Sequence, residues 1–220
     1  MLLIDPDGMA PDNDYVFNKD GKFTGEIRKT NDTFHRIIQQ NADGTESVYK
    51  FNDSKNDSKS LELNATYDSE NKILNNKTEK DIDSYMSQSN IEPKGFLEKY
   101  SFANNELHGR KMDFAVLYLS DELSENGFSS EEIDSDSAGF FLVGDTAYNN
   151  HDFGNFLWGH AMSILGFYAG TAEIAAHVNN ATKDDNPGIL DSASDQKAIR
   201  EGYKYGKTVD TRMHNIDIKR

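Results

Sequence analysis

Between Asp14 and Asp53 short apolar runs alternate with turn residues: DYVFNKDGKFTGEIRKTNDTFHRIIQQNADGTESVYKFND. The turn signals are Asp20-Gly21, Asn31-Asp32 and Asp43-Gly44, and the runs between them read as strands. Phe23, Gly25 and Ile27, then Phe34, Arg36 and Ile38, alternate so that one face packs while the other stays wet. The pattern predicts an antiparallel β-meander, and the similar flanks FNKDGKFTGEI and QNADGTESVYKF suggest a repeated hairpin. Residues 52–60, NDSKNDSKS, read as a solvated linker, which places a domain boundary there. Thr78 is positioned to cap a short helix through Ser89 that buries Ile82 and Met86, and Pro93 opens a further helical turn at Phe96 and Leu97. KMDFAVLYL, residues 111–119, reads as a buried strand, the acidic stretch 122–136 as exposed, and GFFLVGDTAY as strand around a Gly144-Asp145 turn.

From Asp152 onward the apolar period lengthens from two to about three and a half. Phe153, Phe156, Leu157, Ile164 and Leu165 line one helical face, and Thr171 to Val178 form a second buried run. A third helix starts with Ser192 or Ser194 as N-cap and runs through Tyr203, with Gly202 or Gly206 near its end. Gly154, Gly159, Gly166 and Gly170 suit close helix packing; Asn155, His160 and Glu173 interrupt the stretch and argue against stable membrane insertion. The fold class predicted is α+β, an N-terminal antiparallel β-meander followed by a mainly α-helical C-terminal domain, divided into residues 1–60 and 61–220.

Composition refines this. The 220 residues suffice for one large domain or two small ones. Only 36% are hydrophobic and the mean hydropathy is -0.75, so much of the chain is loop, exposed strand or arm, while 11% aromatic content argues against wholesale disorder. The formal charge of -15 repels phosphate backbones at long range, so a nucleic-acid substrate requires a local basic patch. Cysteine is absent, which excludes disulfides and thiolate metal sites. The opening MLLIDPDG lacks the basic and apolar regions of a signal peptide, so export would use an address elsewhere, as in a fragment of a longer protein.

Asp5, Pro6, Asp7 and Gly8 form a DPxG segment that resembles the end of an Rhs core, where the shell closes ahead of a variable toxin. A second resemblance lies in YNNHDFGNFLWGHAMSILGF and the later DSASDQKAIREGY. Asp152, Gly154, Asn155, Phe156 and Gly159, then Asp195, Gln196, Ile199 and Gly202, resemble the polymorphic toxin type 44 domain over roughly the last half of the chain. The upstream aspartate of that family is matched by Asp113, but Lys111-Met112-Asp113-Phe114 replaces its Trp-Asp-Tyr-Lys type of segment, so the lysine and tryptophan do not transfer. The resemblance implies a secreted antibacterial effector delivered into a target bacterial cell, a parent Rhs shell, a cognate immunity protein and RNA as substrate. Residues 1–60 are read as the end of an Rhs-like core with the β-meander and linker, and 61–220 as the toxin type 44-like domain; the resemblance does not extend to the meander, which either the shell or the toxin can own.

The residues offer their own chemistry. His151, Asp152 and Asn155 fall at a strand-to-helix junction, where carboxylate, imidazole and amide meet unpaired backbone N–H groups; Asp152 serves equally well as an N-cap with Asn155 completing local capping. His160 and His177 fall on successive helices, either as buried core histidines or as a pair converging with Asp152 for general acid–base cleavage of RNA without a cofactor. Two histidines and a carboxylate also suit a divalent metal, although their separation of 17 residues is not an HExxH spacing. Asp195 and Gln196 begin the last helix, as caps or as substrate contacts. Lys197, Arg200, Lys204 and Lys207, with Lys219 and Arg220, form a basic strip interrupted by Glu201 and Asp210. A cell-envelope hydrolase and a non-catalytic binding or packaging module are the competing readings.

Overall fold

The structure, a computed structural model, describes residues 12–30, 32, 34–67, 72–105, 111–134, 138–181 and 190–217. The DPxG segment and the Lys219-Arg220 end of the basic strip lie outside the described residues. The chain forms two compact units, each built from two segments: residues 1–76 with 128–149, and residues 77–127 with 150–220. Strands and helices both occur, with most of the helix in the C-terminal part, so the fold is mixed α+β.

The first unit holds a seven-stranded sheet in the order β2-β1-β3-β4-β7-β6-β5. Its strands are β1 (Asn13–Phe17), β2 (Phe23–Lys29), β3 (Arg36–Gln40), β4 (Glu46–Phe51), β5 (Ile73–Asn76), β6 (Gly139–Val143) and β7 (Thr146–Tyr148). Hairpins β1–β2 and β3–β4 turn at Gly21 and Gly44, whose φ angles of 75° and 83° are open to glycine without a Cβ penalty. Within the first four strands the sheet departs from a meander at one place: β1 pairs with β3 in parallel, not β2 with β3. Arg36 explains part of that choice, because its Nε and Nη2 donate to the two carboxylate oxygens of Asp14 at 2.8 Å each, locking β3 onto β1. The β4–β7 and β5–β6 pairs are also parallel, so the sheet is mixed. Tyr15, Phe17, Phe23, Ile37, Phe51, Phe140, Leu142 and Ala147 make its core.

The polar stretch 52–60 is not a linker. Helix α1 (Ser54–Tyr67) begins inside it, with Asp53 accepting from the Asn56 N–H as an N-cap side chain does. Leu61 reaches the sheet core while Asp57 and Ser58 are buried, and burial against the sheet overrides the weak helix propensity of Asn, Asp and Ser. Asp57 Oδ1 accepts from Asn149 Nδ2 at 3.0 Å, tying α1 to the residue after β7. A short helix, α5 (Ser130–Asp134), completes this unit.

The second unit is helical. Helix α2 (Glu79–Gln88) starts at Thr78 with a capping box: Thr78 Oγ1 accepts from the Asp81 N–H and the Asp81 carboxylate accepts from the Thr78 N–H. Its Ile82 and Met86 are buried, while α3 (Phe96–Asn105) leaves Phe96 and Leu97 exposed. Residues 111–119 hold no strand: a turn at 111–112 leads into helix from Phe114, a π-helical turn, Ala115–Leu119, runs into α4 (Ser120–Glu125), and the Ser120 N–H donates to the Ala115 carbonyl. A short apolar run carries no periodicity that separates strand from helix, and the buried Phe114, Leu119 and Leu123 fit a helical face.

Helices α6 (Asn150–Ile164), α7 (Ala169–Ala181) and α8 (Ala193–Asp217) form the bulk of the unit. The third of these does not end near Gly202 or Gly206; it continues through both. Those glycines are contact points. A Cβ on Gly202 would lie 1.8 Å from the Phe156 carbonyl oxygen, and one on Gly159 would lie 2.0 Å from that of Ile199, so α6 and α8 touch backbone to backbone. Gly154 plays the same part against Ala115, whereas Gly166 is a turn residue at φ 75° and Gly170 faces open space.

Candidate functional site

Two segments far apart in sequence meet where α6 crosses the start of α8. Asn155 Nδ2 donates to Asp195 Oδ1 at 2.7 Å, and Asp195 Oδ2 accepts from the Ser192 N–H at 2.8 Å. Ser192 Oγ accepts from the Asp195 N–H, so Ser192 and Asp195 form a capping box and Ser192 is the N-cap of α8. Asn155 therefore does not cap its own helix. Asp152 is the third residue of α6, not the residue before it, and is buried in a first turn where the helix dipole favours a carboxylate; His151 beside it is exposed.

Next to this crossing, α7 and α8 face each other through two pairs spaced four residues apart, Glu173 and His177 on α7, Gln196 and Arg200 on α8. Arg200 Nη1 donates to Glu173 Oε2 at 3.0 Å. Gln196 Nε2 donates to the Glu173 carbonyl at 3.3 Å and to Asp191 Oδ2 at 2.8 Å. The Asp191 N–H in turn donates to His177 Nδ1 at 3.2 Å. With Nδ1 acting as acceptor, a neutral His177 carries its proton on Nε2. His177, Gln196 and Asp191 thus belong to one hydrogen-bonded set that Glu173 and Arg200 extend, and Asp195, adjacent to Gln196, links it to Asn155.

His160 is elsewhere. It is 1% exposed, its ring meets Tyr205 edge to face at 5.3 Å, and neither ring nitrogen has a hydrogen-bond partner among the described residues. Burial alone pushes its imidazole down to about 4. Tyr205 lies twelve residues along α8 from Ala193, roughly 18 Å from the end where His177 is held. The structure brings Asn155, His177, Asp195 and Gln196 to one end of the helical unit and leaves His160 sealed in its interior. Among the described residues no cluster of three or more His, Asp or Glu side chains has the geometry to hold a metal ion.

Glu173, Asp191 and the particular role of Arg200 were not legible as a site. The available signal was the spacing: Glu173 is the only charged residue in GTAEIAAHV and stands one helical turn before His177. Its partners come from α8, which only tertiary structure supplies.

No family model matches the chain, and no curated protein or solved structure shows significant similarity to it.

Proposed function

We propose that this chain is an antibacterial toxin whose helical unit cleaves RNA by general acid–base chemistry, with the site centred on His177, Glu173 and Arg200. The observation that carries this is the arrangement at the α7–α8 end: a carboxylate, an imidazole of fixed tautomer and a guanidinium in one hydrogen-bonded set, in a chain that otherwise repels phosphate. RNA cleavage through its own 2'-hydroxyl requires little more. A base removes the hydroxyl proton, O2' attacks phosphorus to give a 2',3'-cyclic phosphate, and the departing 5'-oxygen takes a proton. In this reading Glu173 accepts the first proton, His177 takes up a proton at Nδ1 by giving up its bond from the Asp191 N–H and then supplies the second proton from Nε2, and Arg200 offsets charge on the phosphoryl oxygens. Asn155 and Asp195 position the start of α8 and touch no reacting atom.

The resemblance to toxin type 44 supports the same reading, since its two segments hold the helix crossing beside this set. A parent Rhs shell and a cognate immunity protein are part of the proposal.

The test uses end-labelled RNA and the purified full chain. Wild type should release fragments ending in cyclic phosphate, and His177→Ala and Arg200→Ala should each cut the rate by about 10²-fold or more while the circular-dichroism spectrum is unchanged. Intact RNA with wild type, or a His177→Ala protein as active as wild type, sinks the proposal; growth arrest seen only on periplasmic export would point to an envelope hydrolase instead.

A further inference from the structure

The exposed aromatic residues of the helical unit are not scattered. Phe96 is 70% exposed and Tyr168 is 84% exposed, and Tyr100 is exposed too. Phe96 and Tyr100 meet edge to face at 5.2 Å, and Tyr100 meets the buried Phe167 at 4.9 Å, one residue before Tyr168. The Phe167 carbonyl accepts from Tyr203 Oη at 2.8 Å, which joins this aromatic run to the face of α8.

Cations interleave with the rings. Lys99 Nζ lies 5.8, 5.8 and 4.7 Å from the ring centroids of Phe96, Tyr100 and Phe167, and is held by the Gly166 carbonyl at 2.6 Å. Lys207 Nζ lies 5.7 Å from the Tyr203 ring. The exposed face of α8 carries Lys197, Arg200, Lys204 and Lys207, at spacings of three, four and three residues. Between Ala193 and Val209 those four cations outnumber two acids, Asp195 and Glu201, reversing locally the sign of a chain whose net charge is -15. Arg200, one turn along from Lys197 in this strip, belongs to the set containing Glu173 and His177.

A water-exposed aromatic face costs free energy unless something covers it, and bases and phosphates cover this combination well. Every base has a face that stacks on Tyr or Phe, and a cation row that follows a helix meets successive phosphates. A duplex hides its base faces; a single strand shows them.

We infer that the surface formed by Phe96, Lys99, Tyr100, Tyr168 and the Arg200–Lys204–Lys207 face of α8 is a binding platform for single-stranded RNA. It leads the strand to the Arg200 end, where the site rests on the ribonuclease reading above. The strand stacks on Tyr168 and Phe96 while its phosphates run along α8. Bases are held without being read, so cleavage is broad in sequence and confined to unpaired regions.

The experiment separates binding from cleavage. A fluorescent single-stranded deoxyoligonucleotide of about 12 nucleotides has no 2'-hydroxyl and reports the platform alone, by anisotropy against the full chain. Wild type should bind it with affinity that falls as salt rises, and bind a duplex of the same sequence at least tenfold more weakly. Lys204→Glu with Lys207→Glu should weaken binding about tenfold or more and flatten the salt dependence. Tyr168→Ala, at an exposed position, should weaken it several-fold and leave the salt dependence as it was. In parallel, Tyr168→Ala should lower cleavage of a long single strand several-fold more than cleavage of a dinucleotide too short to span the platform. The inference fails if wild type does not bind the strand at low salt, if duplex and single strand bind alike, or if these substitutions affect only the grip of an immunity protein. Binding as expected with no RNA cleavage would keep the platform and remove the ribonuclease reading; cleavage with platform variants indistinguishable from wild type would do the reverse.

Discussion

His160 is an imidazole with no hydrogen-bond partner among the described residues, closed between α6 and α8. Its folded value of about 4 lies below the ordinary 6.5, so between those two pH values the unfolded chain binds the extra proton and the folded chain does not. Stability from this group is therefore intact above 6.5, declines as pH falls toward 4, and is flat below. The whole effect is about 3 kcal/mol, and about 2 of it should be lost between pH 6.5 and 5. Urea midpoints of wild type and His160→Leu across that range check this: the variant should lack this part of the slope and be no less stable at pH 7, since an apolar side chain replaces a buried polar one. Equal slopes would mean that His160 is solvated. The same burial separates the two histidines that the sequence presents as equivalents. His177 becomes a functional candidate because Asp191 reaches it, and Asp191 is fourteen residues away with nothing in the local pattern to announce the bond.

The closest approach of α6 and α8 is set at Gly159 and Gly202, with Phe156 and His160 packed against Tyr205 beside them. Gly159→Ala and Gly202→Ala each place a methyl group inside the van der Waals envelope of a carbonyl oxygen on the opposite helix. Neither backbone gives way as a side chain end would, so each substitution should destabilise the unit by about 3 kcal/mol or more, although alanine is the better helix former by about 1. Gly170→Ala, with nothing within 4 Å, is the control and should be neutral or slightly stabilising. Thermal melts of the three variants decide the matter: a drop for Gly170 equal to the others would mean that helix conformation, not close approach, is at work. Much at this scale was readable. The Asp-Gly turns, the Thr78 cap, β6 and β7, and the start of α8 follow from turn chemistry, capping and period, whereas α6 starts at Asn150, two residues before the Asp152 that the pattern offered as its cap. The length of α8 was not, because a glycine after an apolar run signals an end equally well when it is a packing notch. Residues 111–119 were misread for a related reason: a short apolar run fits either a strand or a π-helical turn, and here only Leu119 of Ala115–Leu119 is buried.

At the scale of the whole molecule the order of the chain does not follow the order of the units. A boundary at residue 60 falls inside α1, and the sheet continues beyond it with β5, β6 and β7. Parallel pairing of β4 with β7 joins residues almost a hundred positions apart, which local alternation cannot foretell. A fragment of residues 61–220 would keep β5, β6 and β7 and lose the four strands on the other side of β7 together with the start of α1. It would uncover Phe140, Leu142 and Ala147, which pack in one core with Tyr15, Phe17, Ile37 and Phe51. It would also leave β7 with an unpaired edge, the situation that favours strand addition and aggregation. Expressed alone, that fragment should therefore be found in the insoluble fraction or as soluble oligomers to a larger extent than the full chain expressed in parallel. A fragment that is monomeric, with a native-like circular-dichroism signal and a cooperative melt, would show instead that the first sixty residues are an appendage. The comparison bears directly on any toxicity assay, because an inactive 61–220 fragment reports a broken sheet before it reports anything about His177.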